Sequence, residues 1–131
     1  MSDKKHTILV VDDDEDFLLQ QKLQLESAGF TVMTAGTPRK AEELFARTKP
    51  DLAVLDLMMG DLDAGLGLCH AMKKACPGLP VILVTSVMRE TGLELDVTTD
   101  EERSWIQADA VLDKPVRFEQ LQREITRLLK D

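Results

Sequence analysis

The chain has 131 residues, with 24 acidic and 16 basic side chains and a formal net charge of −8. Its length suits one domain with a real hydrophobic core, and 44% hydrophobic with 31% charged residues excludes a disordered or fibrous chain. The acidic excess argues against a whole-surface nucleic-acid or anionic-membrane binder, both of which need a positive field, and no stretch reaches the roughly 18 apolar residues of a membrane span.

The lead Met1 to His6 enters an apolar run of only a few residues that ends in acids, which is not a signal peptide. That run, Thr7 to Asp12, reads as the first strand. Asp14 to Ala28 reads as a helix with Phe17, Leu18, Leu25 and Ala28 on its apolar side, closed by Gly29. Thr31 to Ala35 is the second strand. Thr37-Pro38 then reads as an N-cap followed by proline at the first helical position. Ala41, Leu44, Phe45 and Thr48 follow at helical spacing, and Pro50 lies beyond them. Leu52 to Asp56 is the third strand, Leu66 to Ala75 a third helix ended by Pro77-Gly78, and Val81 to Thr85 the fourth strand. The polar stretch Ser86 to Thr99 has no clean periodicity and reads as a long loop. A weaker fourth helix covers Asp100 to Gln107, with Trp105 and Ile106 as its apolar side. Ala110 to Asp113 is the fifth strand, and Phe118, Leu121, Ile125, Leu128 and Leu129 mark a fifth helix. Cys69 and Cys76, if both are helical, lie about 10.5 Å apart, too far for a disulfide. They read as reduced, small apolar side chains, and without a CxxC pattern a cytoplasmic setting is expected.

Five strands alternating with helices imply right-handed crossovers and a parallel sheet. Nearly continuous apolar strands suit a sheet covered on both faces. The expected architecture is α/β: a single domain over 1–131 with a flavodoxin-like (βα)5 doubly wound sandwich and sheet order 2-1-3-4-5.

In such a sheet the ligand site lies at the carboxyl ends of the strands, where strand order reverses. The first strand ends in Asp12-Asp13, the third in Asp56 and the fourth in Thr85; the fifth is followed by Lys114-Pro115. Crowded carboxylates repel and need a counter-charge, and hard oxygen donors suit Mg²⁺. Lys114 adds a second positive charge, so the site suits a phosphoryl dianion. The metal, Lys114 and the Thr85 hydroxyl would each take one phosphoryl oxygen, and Asp56 would be the nucleophile. Asp14, Glu15 and Asp16 read instead as solvated acids of a helix start. An EF-hand reading of Asp12-x-Asp14-x-Asp16 fails, because the sixth position is Phe17 and the twelfth Leu23.

The motifs ILVVDDDEDF, DLAVLDLMMG, VILVTS and DKPV, in this order and spacing, resemble the receiver domain of bacterial two-component response regulators, of the chemotaxis-regulator type, over essentially the whole chain. The resemblance implies that Asp13 coordinates Mg²⁺ with Asp12 assisting, and that the Met58 backbone carbonyl is a further ligand. It implies that Asp56 accepts a phosphoryl group from a phosphohistidine on a sensor histidine kinase or phosphotransfer protein. It also implies that Thr85 reorients toward that group, that Lys114 pairs with it, and that the Lys114-Pro115 bond is often cis. The output face would be the surface of the fourth helix, fifth strand and fifth helix, including Glu101 to Trp105 and Arg117, Arg123 and Arg127. An unidentified downstream protein or a phosphorylation-dependent second copy would dock there, with no direct nucleic-acid or membrane contact. The resemblance leaves open a stand-alone regulator or a receiver taken from a longer protein.

The departures are specific. Gly60 stands where the family usually has proline, and the following Asp61 to Gly65 loop is one residue longer and expected to be looser or differently shaped. The aromatic switch position is Val111, which has no ring to swing inward, and the segment between Thr85 and Lys114 is longer than usual. Met58, two residues past Asp56, cannot orient an attacking water, so self-dephosphorylation should be slow. Three other functions compete with this one. A haloacid-dehalogenase-type phosphatase shares the Asp, Thr, Lys and Mg²⁺ chemistry, but its nucleophile ends the first strand. A flavin-binding flavodoxin needs a hydroxyl- and glycine-rich loop where this chain has five acids. A degenerate receiver signalling without phosphate, as an interaction module, is opposed by the intact Asp12, Asp13, Asp56, Thr85 and Lys114.

Overall fold

The structure, a computed structural model, describes residues 6–56, 62–85, 109–113 and 116–129, with 62–66, 85 and 113 described as backbone. Its elements are β1 (Thr7–Val11), α1 (Glu15–Ser27), β2 (Thr31–Ala35), α2 (Pro38–Arg47), β3 (Leu52–Asp56), α3 (Leu62–Ala75), β4 (Val81–Thr85), β5 (Ala110–Asp113) and α4 (Phe118–Leu128), the last being the fifth helical stretch read from the sequence. The expected fourth helix, the 86–99 loop and the Lys114-Pro115 bond lie outside the described residues.

All pairings in the sheet are parallel, in the order β2-β1-β3-β4-β5. Alternation along each strand separates two apolar layers. Leu9, Val11, Ala53, Leu55, Val81 and Leu83 face Ala41 and Phe45 of α2 and Leu68, Cys69 and Met72 of α3. Ile8, Val10, Leu52, Val54, Ile82 and Val84 face Leu18 and Leu25 of α1 and Leu121 and Ile125 of α4. Every residue of β3 is buried, while the edge strand β2 is mostly half-buried. This explains why the central strands read as unbroken apolar runs.

The helix ends follow local chemistry. Thr37 caps α2 by accepting from the Lys40 N–H at 3.1 Å, with Pro38 at the first helical position. Gly29, at φ +102°, ends α1 just past Ala28, the exposed C-cap. The Gly29 and Phe30 N–H groups donate to the Glu26 and Leu25 carbonyls at 3.0 and 3.1 Å, closing a Schellman motif.

Three expectations need correction. Ala28 is exposed, and the buried position the apolar pattern missed on α1 is Gln21. β1 ends at Val11, although the Asp12 N–H still donates to the Ala35 carbonyl at 3.1 Å; the Asp12 side chain then accepts from the chain ahead and turns it into α1. The backbone of α3 is helical from Leu62, four residues before the expected start at Leu66, so 62–65 is helix and not loop. One helical glycine costs only about 1 kcal/mol relative to alanine, and Gly65 lies within a 14-residue helix whose later turns are anchored by Leu68, Cys69 and Met72. Cys69 is buried and Cys76 half-buried, and neither forms a disulfide.

Candidate functional site

The register of the central strands builds the site. Val11 of β1 is aligned with Leu55 of β3, so Asp12 and Asp56 emerge side by side at the carboxyl edge. Asp12 is 0% and Asp56 4% exposed, whereas Asp13 is exposed. Carboxylate oxygens of Asp12, Asp13 and Asp56 all lie within 4.8 Å of one another. Two unit charges at that separation repel by about 3 kcal/mol at an effective dielectric constant near 20, so the cluster favours a cation among them. The donors are hard carboxylate oxygens without thiolate or imidazole. They fit a hard divalent ion such as Mg²⁺, which keeps open positions for water and phosphoryl oxygens.

Asp12 is held at two points. Its N–H donates to the Ala35 carbonyl at 3.1 Å, and its Oδ1 accepts from the Asp14 N–H at 2.9 Å. Asp14 in turn is the N-cap of α1. Its Oδ1 accepts from the Asp16 and Phe17 N–H groups at 3.0 and 3.3 Å, and its carbonyl accepts from the Leu18 N–H at 3.0 Å. Two successive carboxylate-to-backbone turns therefore carry the chain from β1 into α1, with Asp13 inside the first and Asp14 shared by both.

β4 adjoins β3, with Asp56 aligned with Val84, so the backbone of Thr85 ends the strand next to the acid cluster. Thr85 is aligned with Asp113, the residue before Lys114 in the chain. Lys114 and Met58 lie outside the described residues. Val111 is a half-buried β-branched residue, aligned with Leu83 and packed on the layer formed with α2 and α3. Asp14, read from the sequence as a solvated acid of a helix start, is exposed and caps α1; what the sequence did not show is its N–H donating to the Asp12 carboxylate. The available signal was its N-cap position just before the helical pattern.

A family model described as "Response regulator receiver domain" matches residues 8–126. A "Probable transcriptional regulator ycf27" from Porphyridium aerugineum is 33% identical over 97% of this chain and 49% of that protein. The chain spans half or less of the length of the curated relatives it matches first. A CheY-like response regulator receiver domain protein from Methanospirillum hungatei superposes with a TM-score of 0.81 at 28% identity, covering 96% of this chain and 94% of that one. The response regulator TrrA from Thermotoga maritima, solved in complex with Mg²⁺-BeF, gives a TM-score of 0.75 at 26% identity over 94% and 98% of the two chains. Receiver domains bind Mg²⁺ at an acidic pocket and work with sensor kinases and effector domains. With the matched sheet order and the family match over nearly all of the sequence, the chain belongs to the response regulator receiver domain family of two-component signal transduction.

Proposed function

We propose that this receiver is a Mg²⁺-dependent phosphoryl acceptor. Asp56 is the acceptor, and Asp12, Asp13, Asp56 and the Met58 backbone carbonyl are the metal ligands. The observation that carries this reading is the convergence of three carboxylates, two of them buried, at the carboxyl edge of β1 and β3. Asp12 and Asp13 present oxygens beside the acceptor. A Mg²⁺ ion, when bound, supplies positive charge that makes a phosphoryl dianion tolerable there. An Asp56 carboxylate oxygen attacks phosphorus and forms an acyl-phosphate O–P bond. The N–P bond of the donor phosphohistidine breaks, and the departing imidazole keeps the electron pair and takes a proton. Thr85, at the end of the adjacent strand, donates its hydroxyl to one phosphoryl oxygen, and Lys114 pairs with another. The position of Asp56 at the end of β3 supports this reading over a dehalogenase-type phosphatase, whose nucleophile ends the first strand.

The proposed donor is a sensor histidine kinase or phosphotransfer protein in the cytoplasm. The proposed output face is formed by the 100–107 stretch, β5 and α4. On α4 the exposed Arg123 is available to an acidic partner, with exposed Arg117 at the helix start, whereas Arg127 is engaged with Glu124 at 2.6 and 3.0 Å. Switching at Val111 uses a β-branched side chain already packed on the core, not an aromatic ring. Among the described residues, no helix is long and apolar enough to cross a membrane.

Intact-mass spectrometry after incubation with acetyl phosphate and Mg²⁺ tests the reading. One phosphoryl adduct is expected on the wild type and none on Asp56→Ala. Phosphate uptake by the alanine variant, or none by the wild type with Mg²⁺ present, would sink it.

A further inference from the structure

We infer that Asp14 is a positioning residue for the acid cluster, acting through the backbone on Asp12 and Asp13; the inference rests on the Mg²⁺ site proposed above. Asp14 does not belong to the cluster of three carboxylates. Its side chain is committed to α1, where Oδ1 accepts from the Asp16 and Phe17 N–H groups at 3.0 and 3.3 Å. Its N–H points the other way and donates to Asp12 Oδ1 at 2.9 Å. The extended Asp14 backbone, at φ −92° and ψ 106°, makes both contacts at once.

The consequence is a chain of constraint. The Asp12 main chain is fixed by its N–H donating to the Ala35 carbonyl at 3.1 Å, and its carboxylate by the Asp14 N–H. The Asp14 N–H is kept in place by the cap together with the Leu18 N–H donated to the Asp14 carbonyl at 3.0 Å. Asp13, exposed, is the middle residue of the first turn, so its backbone is held by the bond from the Asp14 N–H to Asp12 Oδ1. Loss of the cap frees the first turn of α1, and with it the amide that orients the buried Asp12 carboxylate. An exposed acid then acts on metal binding through hydrogen bonds and not mainly through its charge.

Charge-matched variants separate the two contributions. Asp14→Asn and Asp14→Ser remove the charge and keep a capping oxygen; Asp14→Ala removes both. Mg²⁺ affinity, measured by isothermal titration calorimetry well below the melting temperature, is the readout. Asparagine and serine should bind Mg²⁺ alike, and alanine should bind about five-fold more weakly than either, as a lost cap of ordinary size implies. Hydrogen exchange should show faster exchange at the Asp14, Asp16 and Phe17 amides in the alanine variant alone. Equal Mg²⁺ affinity in the three variants overturns the inference while leaving the metal site intact. A wild type that takes up no Mg²⁺ overturns the proposed function itself.

Discussion

Asp109 offers the sharpest test of how this sheet is held. Its Oδ2 accepts from the Val81 N–H at 2.8 Å and from the Lys73 ammonium at 2.7 Å. Its own N–H donates to the Val81 carbonyl at 2.8 Å. One carboxylate thus joins α3, the first residue of β4 and the entry to β5. Val81 is 0% exposed, so its N–H is not readily re-solvated, while the Lys73–Asp109 ion pair is exposed at the surface. Asp109→Ala leaves a part-buried N–H unpaired, which costs about 1–2 kcal/mol, and removes a surface ion pair worth up to about 1 kcal/mol more. For a domain of this length a loss of up to about 3 kcal/mol lowers the melting temperature by up to about 11 °C. Asp109→Asn keeps an acceptor for Val81, and Lys73→Met removes the ammonium without stranding the N–H, so each should cost about half as much. Urea and thermal melts followed by circular dichroism at pH 7 give the comparison. The contact lies at the entry of β4 and β5, opposite the acid cluster, so phosphoryl uptake by the folded fraction should not change. An Asp109→Ala stability within about 0.5 kcal/mol of the wild type would refute the reasoning.

Two further outcomes follow from the same structure. Burial pushes the Cys69 thiol up from 9.0 to about 11, with Lys73 lowering and Asp109 raising it by less. Because the folded value exceeds the unfolded one, stability is fully present below pH 9.0 and is lost as pH rises through about 11. Urea midpoints measured from pH 8 to 11 should fall more steeply for the wild type than for Cys69→Ala, and parallel curves would contradict the burial argument. If the acid cluster holds Mg²⁺, the ion at about 100 times its dissociation constant should add about 2.7 kcal/mol of stability, reversed by chelation and absent in Asp13→Asn. A melting temperature unmoved by Mg²⁺ would exclude the site.

Much of the framework was legible because it rests on local or periodic signals. The bounds of β2, β3, β4 and β5 follow from short apolar runs, and a sheet covered on both faces explains why those runs do not alternate. Thr37-Pro38 and Gly29 announced helix ends because caps are local chemistry. The start of α3 was not legible, since Gly65 reads as a breaker while a long helix absorbs its cost. Asp12, Asp13 and Asp56 could be named as a site once a parallel order was assumed, because strand ends converge there.

Other features depended on how the strands align and the layers meet. The 4.8 Å approach of three carboxylates requires Val11 to align with Leu55, a register that apolar runs without alternation leave open. Asp109 meets Val81 and Lys73 across 28 and 36 residues of sequence, so no local pattern marks it. Asp14 looked like one solvated acid among five, and the hydrogen bonds on its two sides distinguish it. Residue type and periodicity specify which elements form and what chemistry is available. Register and the hydrogen bonds of the folded chain, local at Asp14 and long-range at Asp109, set which acids share a pocket and which ones hold the chain around it.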